Sequence, residues 1–143
     1  MSARILVRVE SLRVDLEASS YPILIGPDLI GRAKLIDQHV AARDVLLVSN
    51  TVVAPLYAAP LKASLGSRRV VEVLLPDGET HKSLATLSRI FDVLVANAFG
   101  RDCAIVALGG GVVGDIAGFA AAAWQRGVAC RSEEHTSELQ SPI

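Results

Sequence analysis

One stretch of the sequence, residues 103–125, restricts the possible fold more than any other. An apolar segment at 103–108 runs into the glycine-rich turn 109–114, and a helix of small residues follows to about Gln125. A strand, a glycine turn and a helix in this order are typical of the βα unit of a parallel sheet. The stretch therefore predicts an α/β fold.

Strands and helices alternate along the chain from residue 43 onward. Residues 45–48 are apolar on both faces, as in a parallel strand covered on each side, and residues 70–75 form the next strand. Helices are predicted over 51–65 and 83–98. The second of these places six apolar side chains on one stripe, namely Leu84, Leu87, Ile90, Phe91, Leu94 and Val95. The expected architecture is a Rossmann-like parallel sheet with helices on both faces.

The first part of the sequence has a different pattern. Residues 5–9 and 13–17 alternate apolar and polar side chains, which predicts an N-terminal β-hairpin joined near Ser11. Residues 21–26 form a further short apolar run, and a helix is predicted over residues 27–39 because Pro27 suits a first helical turn.

Composition and charge exclude several classes of protein. The 14 basic and 15 acidic residues nearly balance, so no basic field is present to attract nucleic acid or an anionic membrane. Two cysteines make no disulfide framework, and no secretory signal precedes the strand pattern, so a cytoplasmic protein is expected. The most apolar window, residues 103–124, contains Asp115 and five glycines, which disfavours a membrane span.

The end of the sequence differs in character from the rest. Residues 127–130 look like the start of another buried strand, whereas residues 131–143 are polar and acidic and have no usable period. The run 131–141 resembles the conceptual translation of a DNA sequencing-library adapter; the alternative is a natural flexible tail. We therefore expect residues 1–130 to form an incomplete α/β domain and residues 131–143 to be a foreign, disordered tail.

The glycine-rich turn satisfies the pattern G-x-G-x-x-G between a strand and a helix. Glycines let backbone N–H groups approach a phosphate closely, and the helix N-terminus adds partial positive charge. The usual dinucleotide fingerprint also has an acidic residue about 20 positions later, which here falls in the polar tail. A turn that only packs helix on strand stays open. Asp115, predicted in the first helical turn, is either a capping carboxylate or a cofactor contact.

A second candidate segment lies between the strand 70–75 and the helix that follows it. It contains Glu79 and Lys82 three positions apart, with His81 between them and Ser83 placed to cap the helix. It is either a turn with a surface ion pair or a site where the carboxylate binds ribose hydroxyls and the lysine binds phosphate. His81 itself is expected to be ordinary surface.

Asn50 follows the strand 45–48 and is either a turn former or a contact to an adenosine ribose. The carboxyl ends of parallel strands meet at one edge of a sheet, where the ligand crevice of such folds lies. Three segments are therefore expected to share that edge, namely 49–50, 77–82 and 109–115.

Taken together, these residues resemble the 3-dehydroquinate synthase family. The matching pieces lie in the family's order and spacing within residues 1–130: 21–26 (YPILIG), 76–83 (PDGETHKS), 101–102 (RD), 107–115 (ALGGGVVGD), 117–121 (AGFAA) and 125–127 (QRG). The long block with Gly-Asp and Ala-Gly-Phe is specific, whereas three glycines alone are not. His81 stands where the family often has Tyr.

The resemblance implies a truncated dehydroquinate synthase-like fold without the family's helical C-terminal domain. The family enzyme converts 3-deoxy-D-arabino-heptulosonate 7-phosphate to 3-dehydroquinate and phosphate, in the shikimate route to aromatic amino acids. It uses NAD catalytically together with a divalent metal, zinc or cobalt, and is formally a lyase. By resemblance, the full-length enzyme is a cytoplasmic homodimer that acts on a small sugar phosphate.

The resemblance also assigns roles within this sequence. NAD contacts are expected from Asn50, Asp77, Gly78, Glu79, Thr80, His81, Lys82, Gly110, Gly111, Val112, Val113, Gly114 and Asp115. The family's metal ligands, substrate-binding lysines and Thr-Thr cofactor segment would follow Cys130, so no residue of this sequence is expected to hold the metal or to be catalytic. The 143-residue chain is therefore expected to be inactive and to bind NAD weakly.

Three alternatives accompany this interpretation. Other sugar-phosphate cyclases share the cofactor half and differ in substrate residues. Metal-dependent alcohol or glycerol dehydrogenases share the fold and a similar glycine loop, but the continuation at 112–115 and the block at 77–82 favour the synthase. The third alternative is a non-catalytic nucleotide-binding module made of residues 1–130.

Overall fold

The computed structural model describes residues 10–16, 21–25, 29–78 and 83–133. The elements follow in the order β1 (Glu10–Val14), β2 (Tyr21–Ile25), α1 (Ala33–His39), β3 (Asp44–Asn50), α2 (Ala54–Leu65), β4 (Arg69–Leu75), α3 (Leu84–Ala96), β5 (Ala104–Leu108), α4 (Gly111–Ala123) and β6 (Ala129–Glu133). Short 3-10 turns lie at Leu29–Gly31 and Trp124–Arg126. Strands and helices thus alternate from β3 onward, as the sequence predicts.

Four of the strands form one parallel sheet in the order β4-β3-β5-β6. The central pair is aligned so that Val45 lies beside Ala104 and Ser49 beside Leu108. Each strand of this sheet is joined to the next by a helix, as parallel pairing requires. The predicted parallel sheet is confirmed.

The central strands β3 and β5 are buried on both faces because helices cover each side. On one face, strand side chains pack with α3 and α4: Leu46, Val48, Ile105 and Ala107. On the opposite face, the alternate side chains pack with α2 and the region of α1: Val45, Leu47, Ala104, Val106 and Leu108. This arrangement explains the unbroken apolar runs of both strands.

An antiparallel strand pair is present near the N-terminus, but its strands differ from the predicted ones and its turn is not near Ser11. Strand β1 includes Ser11 and pairs antiparallel with β2, with Glu10 beside Ile25 and Val14 beside Tyr21. No glycine or proline next to Ser11 favours a turn there, so the alternating pattern continues through it. The predicted strand over residues 5–9 lies outside the described residues.

The helix predicted over residues 27–39 is shorter than expected. Leu29–Gly31 forms a 3-10 turn, Arg32 is extended, and α1 begins at Ala33. Gly31 disfavours a continuous helix because glycine loses more backbone freedom than other residues. Residues 27 and 28 lie outside the described part of the chain.

Helix α3 begins as predicted, because the Ser83 Oγ accepts a hydrogen bond from the Thr86 N–H at 3.4 Å. Its apolar stripe is narrower than expected. Ile90 and Leu94 are fully buried, whereas Leu84 is 81% exposed and Val95 is 66% exposed. At 3.6 residues per turn, those two outer side chains point about 100° away from the buried pair.

Strand β6 continues past Cys130 to Glu133, with Arg131 beside Val106 and Glu133 beside Leu108. Residues 131–133 are therefore ordered in the sheet, against the prediction that the disordered tail begins at residue 131. Without β6, the edge of β5 that faces away from β3 would present unpaired N–H and C=O groups, with which an extended segment can pair. The rest of the predicted tail lies outside the described residues.

Candidate functional site at the carboxyl edge of the sheet

The direction in which the chain adds strands to the four-stranded sheet reverses between β3 and β5. The chain passes from β3 outward to β4, crosses back to β5 on the other side of β3, and continues outward to β6. The helices that follow β3 and β5 therefore pack on opposite faces of the sheet. In open α/β sheets, ligands bind in the crevice at such a switch point, beyond the carboxyl ends of the strands.

The glycine turn that follows β5 lies at this switch point. Gly109 has a φ of +155°, and a Cβ added to it would lie 3.0 Å from Val113 Cγ2. Both the backbone conformation and the close contact therefore require glycine at this position. The turn itself is short, because α4 already begins at Gly111.

Neither packing nor backbone conformation requires glycine at positions 110 and 111. A Cβ added to either residue would meet no atom within 4 Å, and neither has a positive φ. Gly110 is the N-cap of α4 and makes no side-chain cap hydrogen bond. Within the described part of the chain, space is therefore open beside the first residues of α4, where backbone N–H groups and the helix dipole favour an anion.

The remaining residues of the predicted glycine segment differ in how deeply they are buried. Val113 and Gly114 are buried, Val112 packs partly against the same core, and Asp115 is exposed. Asp115 is the fifth residue of α4, so the prediction that it lies in the first turn is wrong. The helix begins at Gly111 and already includes Val112, Val113 and Gly114, so Asp115 lies beyond the first turn.

Asn50 ends β3 and is only 6% exposed. Its Oδ1 accepts hydrogen bonds from the N–H groups of Val52, at 3.0 Å, and Val53, at 2.7 Å. Its Nδ2 donates to Asp77 Oδ1 at 3.3 Å. Asn50 therefore forms the turn into α2, which is one of the two alternatives from the sequence, and also reaches the second candidate segment.

That second segment follows β4, which ends at Leu75. Asp77 and Gly78 are exposed, and Gly78 has a φ of +111°, which favours glycine. The Thr51 N–H donates to the Leu75 carbonyl at 3.1 Å, which joins the ends of β3 and β4. Glu79, Thr80, His81 and Lys82 lie outside the described residues, so their predicted roles stay predictions.

The sequence places Ser49 at this edge but assigns it no role. Ser49 is fully buried, and its Oγ donates to the Leu108 carbonyl at 2.7 Å. The hydrogen bond joins the carboxyl ends of β3 and β5 at the switch point. The signal in the sequence is the single hydroxyl of Ser49 at the end of an otherwise apolar run. A buried hydroxyl nearly always has a hydrogen-bond partner.

Neither a metal cluster nor a membrane-spanning helix is found in the described part of the chain. No group of three or more His, Cys, Asp or Glu side chains among those residues could hold a metal ion. None of the described helices is both long and apolar enough to cross a bilayer.

Burial raises the pKa of the Cys103 and Cys130 thiols, with the nearby Asp102 charge adding to the effect at Cys103.

The fold and this edge define a class, a Rossmann-like α/β domain with a glycine turn at its switch point. Residues 72–137 match the family model described as 3-dehydroquinate synthase N-terminal. The resemblance to the 3-dehydroquinate synthase family seen in the sequence is thereby confirmed over these residues.

Two curated relatives illustrate the similarity. The chain is 50% identical over 120 residues to a 3-dehydroquinate synthase of Ruthia magnifica subsp. Calyptogena magnifica, covering 84% of this chain and 33% of that protein. It is 52% identical over 120 residues to that of Methylococcus capsulatus (strain ATCC 33009 / NCIMB 11132 / Bath), with the same coverage. The chain therefore spans about a third of the length of the curated relatives it matches.

Solved structures share the fold. A 2-deoxy-scyllo-inosose synthase complexed with carbaglucose-6-phosphate, NAD+ and Co2+ matches with a TM-score of 0.75 at 21% identity, over 86% of this chain and 34% of that one. ValA, a 2-epi-5-epi-valiolone synthase from Streptomyces hygroscopicus subsp. jinggangensis 5008 with NAD+ and Zn2+ bound, matches with a TM-score of 0.65 at 27% identity, over 85% and 33%.

Proposed function

We propose that this chain forms the NAD-binding part of a 3-dehydroquinate synthase. The observation that carries the proposal is the open space that Gly110 and Gly111 leave in front of the N-terminus of α4, at the switch point of the sheet. A pyrophosphate group would bring negative charge and acceptor oxygens to that point. The similarity to named 3-dehydroquinate synthases supports the choice of enzyme.

The proposed roles follow from the chemistry of each group. The backbone N–H groups of residues 111–113 would hold the pyrophosphate. The carboxylates of Asp77 and Glu79 would accept hydrogen bonds from ribose hydroxyls, and Lys82 would bind phosphate or a polar ring substituent. NAD, when bound, supplies the reversible oxidation of an alcohol on the substrate. Gly78, Thr80, His81, Val112, Val113, Gly114 and Asp115 complete the proposed cofactor segments.

The wider assignment is part of the same proposal. The whole enzyme would convert 3-deoxy-D-arabino-heptulosonate 7-phosphate to 3-dehydroquinate and phosphate, in the cytoplasm and as a homodimer. We place its zinc or cobalt ligands and its substrate-binding residues in the part of the relatives that this chain does not cover. The 143 residues alone are accordingly expected to release no phosphate from that substrate.

A chimera tests the proposed function. Residues 1–130 would replace the matching part of the Methylococcus capsulatus relative, which is 52% identical. The assay follows phosphate release from the heptulosonate phosphate in the presence of NAD and zinc. We expect turnover of the same order as that of the parent enzyme, because the grafted part supplies the same cofactor groups.

Two controls define the outcome. The same chimera with Gly111→Val should fold, by circular dichroism, and should lose NAD-dependent turnover because the added side chain fills the open space. A folded chimera with the wild-type glycine that releases no phosphate would contradict the proposal and would favour a dehydrogenase or a non-catalytic nucleotide-binding module. Turnover by the 143-residue chain alone would contradict the expected inactivity.

A further inference from the structure

The amide of Asn50 is fixed in one orientation by its own surroundings. Two backbone N–H groups, those of Val52 and Val53, point at one end of the amide, and only its oxygen can accept from them. The nitrogen must therefore face Asp77, where Nδ2 lies 3.3 Å from Oδ1. Asn50 is 6% exposed, so this arrangement is sheltered from competing water.

The same contact joins two segments that are 27 residues apart in sequence. The ends of β3 and β4 are held in register, with Asn50 beside Leu75 and the Thr51 N–H bonded to the Leu75 carbonyl. Asp77 lies two residues beyond that anchored point, on an exposed turn that includes the left-handed Gly78. The Asn50 amide is thus the side-chain contact that ties the Asp77 carboxylate to the rigid sheet.

We infer that Asn50 is a positioning residue, which acts on the ligand through Asp77. Both acceptor positions of its oxygen are taken by the α2 turn, and one of its two amide hydrogens is taken by Asp77. Holding Oδ1 of Asp77 leaves Oδ2 to accept from a ligand hydroxyl in a fixed direction. The inference rests on the proposed function, in which that hydroxyl belongs to a ribose of NAD, and it proposes contact through Asp77 in place of the direct contact expected from the sequence.

A double-mutant cycle on the full 143-residue chain separates the two roles. Asn50→Ser keeps a side-chain oxygen for the turn into α2 but removes the donor to Asp77, and Asp77→Ala removes the acceptor. NAD affinity is measured from chemical-shift changes in 1H–15N NMR spectra titrated to millimolar NAD. We expect Asn50→Ser to weaken binding roughly fivefold, an effect typical of one hydrogen bond, and to have no further effect when Asp77→Ala is already present.

Two results would overturn the inference. If Asn50→Ser weakens NAD binding by the same factor with and without Asp77, then Asn50 contacts the cofactor directly. If Asn50→Ser leaves the affinity unchanged, then Asn50 only forms the turn into α2. Asn97→Ser is the matched control, because the Asn97 Nδ2 also donates a hydrogen bond, to the Val93 carbonyl at 2.8 Å, but at the far end of α3. It should not change the affinity.

A readout without ligand distinguishes failure of this inference from failure of the proposed function. If NAD moves no resonance of the wild-type chain, the cofactor proposal fails. In that case Asn50→Ser should still shift the backbone resonances of Asp77 and Gly78 while the unfolding midpoint stays unchanged, which supports the positioning role. Unchanged resonances at those two residues would overturn it.

Discussion

The two ends of the parallel sheet are built in different ways. At the amino end, the Arg68 guanidinium donates to the carbonyls of Ala42 at 3.0 Å, Leu65 at 2.9 Å and Val40 at 2.6 Å. It also forms an ion pair with Asp37 at 2.9 Å. The Arg68 side chain thus links three parts of the chain, namely the segment before β3, the end of α2 and helix α1. Its N–H groups bond to acceptors within the protein.

The neighbouring Arg69 completes the amino end in the same manner. It pairs with Asp44 at 3.0 Å, donates to the Asn97 carbonyl at 2.8 Å and lies 4.4 Å from the centre of the Phe99 ring. A groove of about 440 Å³ also lies at this end of the sheet. Its Arg131 donates to the His39 carbonyl at 2.7 Å, so that cation too is directed at backbone and not at a ligand.

The carboxyl end has fewer internal partners and more open space. Ser49 and Asn50 join strand ends, but among the described residues the N-cap of α4 makes no side-chain hydrogen bond and no atom lies within 4 Å of a Cβ added at Gly110 or Gly111. The comparison teaches that a cavity is a weaker indication of a binding site than a helix N-terminus, whose first N–H groups have no partner within the helix. Changes at the amino end should therefore alter stability, and changes at the carboxyl end should alter binding.

The largest expected effect is loss of stability on Arg68→Ala. Three carbonyl groups would lose their charged donor, in a site where the arginine side chain is 16% exposed. We expect a loss of about 2–4 kcal/mol in the free energy of unfolding. Urea denaturation of the 143-residue chain measures it, with Arg68→Lys as an intermediate control that keeps the charge but not the planar fork. A change within about 0.5 kcal/mol, typical of ordinary surface sites, would contradict the comparison.

At the carboxyl end, Gly111→Ala should weaken binding without loss of stability. Gly118→Ala is its matched control, since both glycines are helical in α4 and an added Cβ at either meets no atom within 4 Å. Alanine favours a helix over glycine by about 0.5–1 kcal/mol in a helix interior, so neither variant should be destabilised. Only the Gly111 variant should lose NAD affinity, by roughly tenfold if one charged hydrogen bond is lost.

Thermal unfolding and an NMR titration with NAD test this pair. Equal affinities of the two variants would show that the space beside Gly111 is not used by the cofactor. A destabilised Gly111 variant would instead show that the glycine is needed by the fold itself.

The sequence predicts the centre of this fold better than its margins. The runs at 45–48 and 103–108 were assigned correctly as buried strands because covered parallel strands are apolar on both faces. The start of α3 was predictable because Ser83 is a local signal. The turn predicted near Ser11 was wrong because β1 runs through Ser11 and pairs with residues 21–25, not with a run that begins at Arg13.

The candidate site was predictable only as three separate segments. Their meeting at one edge followed from topology, but the hydrogen bond between Asn50 and Asp77 depends on the relative heights of β3 and β4, which no local pattern encodes. The position of Asp115 was missed because a run of glycines does not show where helical geometry begins. Long-range geometry, more than residue type, separates what was found from what was missed.

The smallest expected effect concerns acid pH at the amino end. The hydrogen bond from Arg69 lowers the pKa of Asp44 below its ordinary value of 3.8, and the Arg69 charge adds to the effect. Arg69 stays charged throughout, since the same contact raises its pKa. A carboxylate whose folded pKa is lowered stabilises the protein fully above its unfolded pKa, and that stability is lost as the pH falls through the folded value.

The expected result is a fall in stability below about pH 4 that depends on Asp44. Asp44→Asn should be less stable than the wild type at neutral pH, and the difference should shrink as the pH is lowered through the acid range. Urea unfolding at a series of pH values measures this difference. Asp92, an exposed residue of α3, provides the control: Asp92→Asn should keep the pH dependence of stability of the wild type. High salt should reduce the difference because the pair is exposed to solvent. A stability difference that is independent of pH would mean that Asp44 acts through packing and not through its charge. The Asp44–Arg69 ion pair would then no longer support the contrast between the two ends of the sheet.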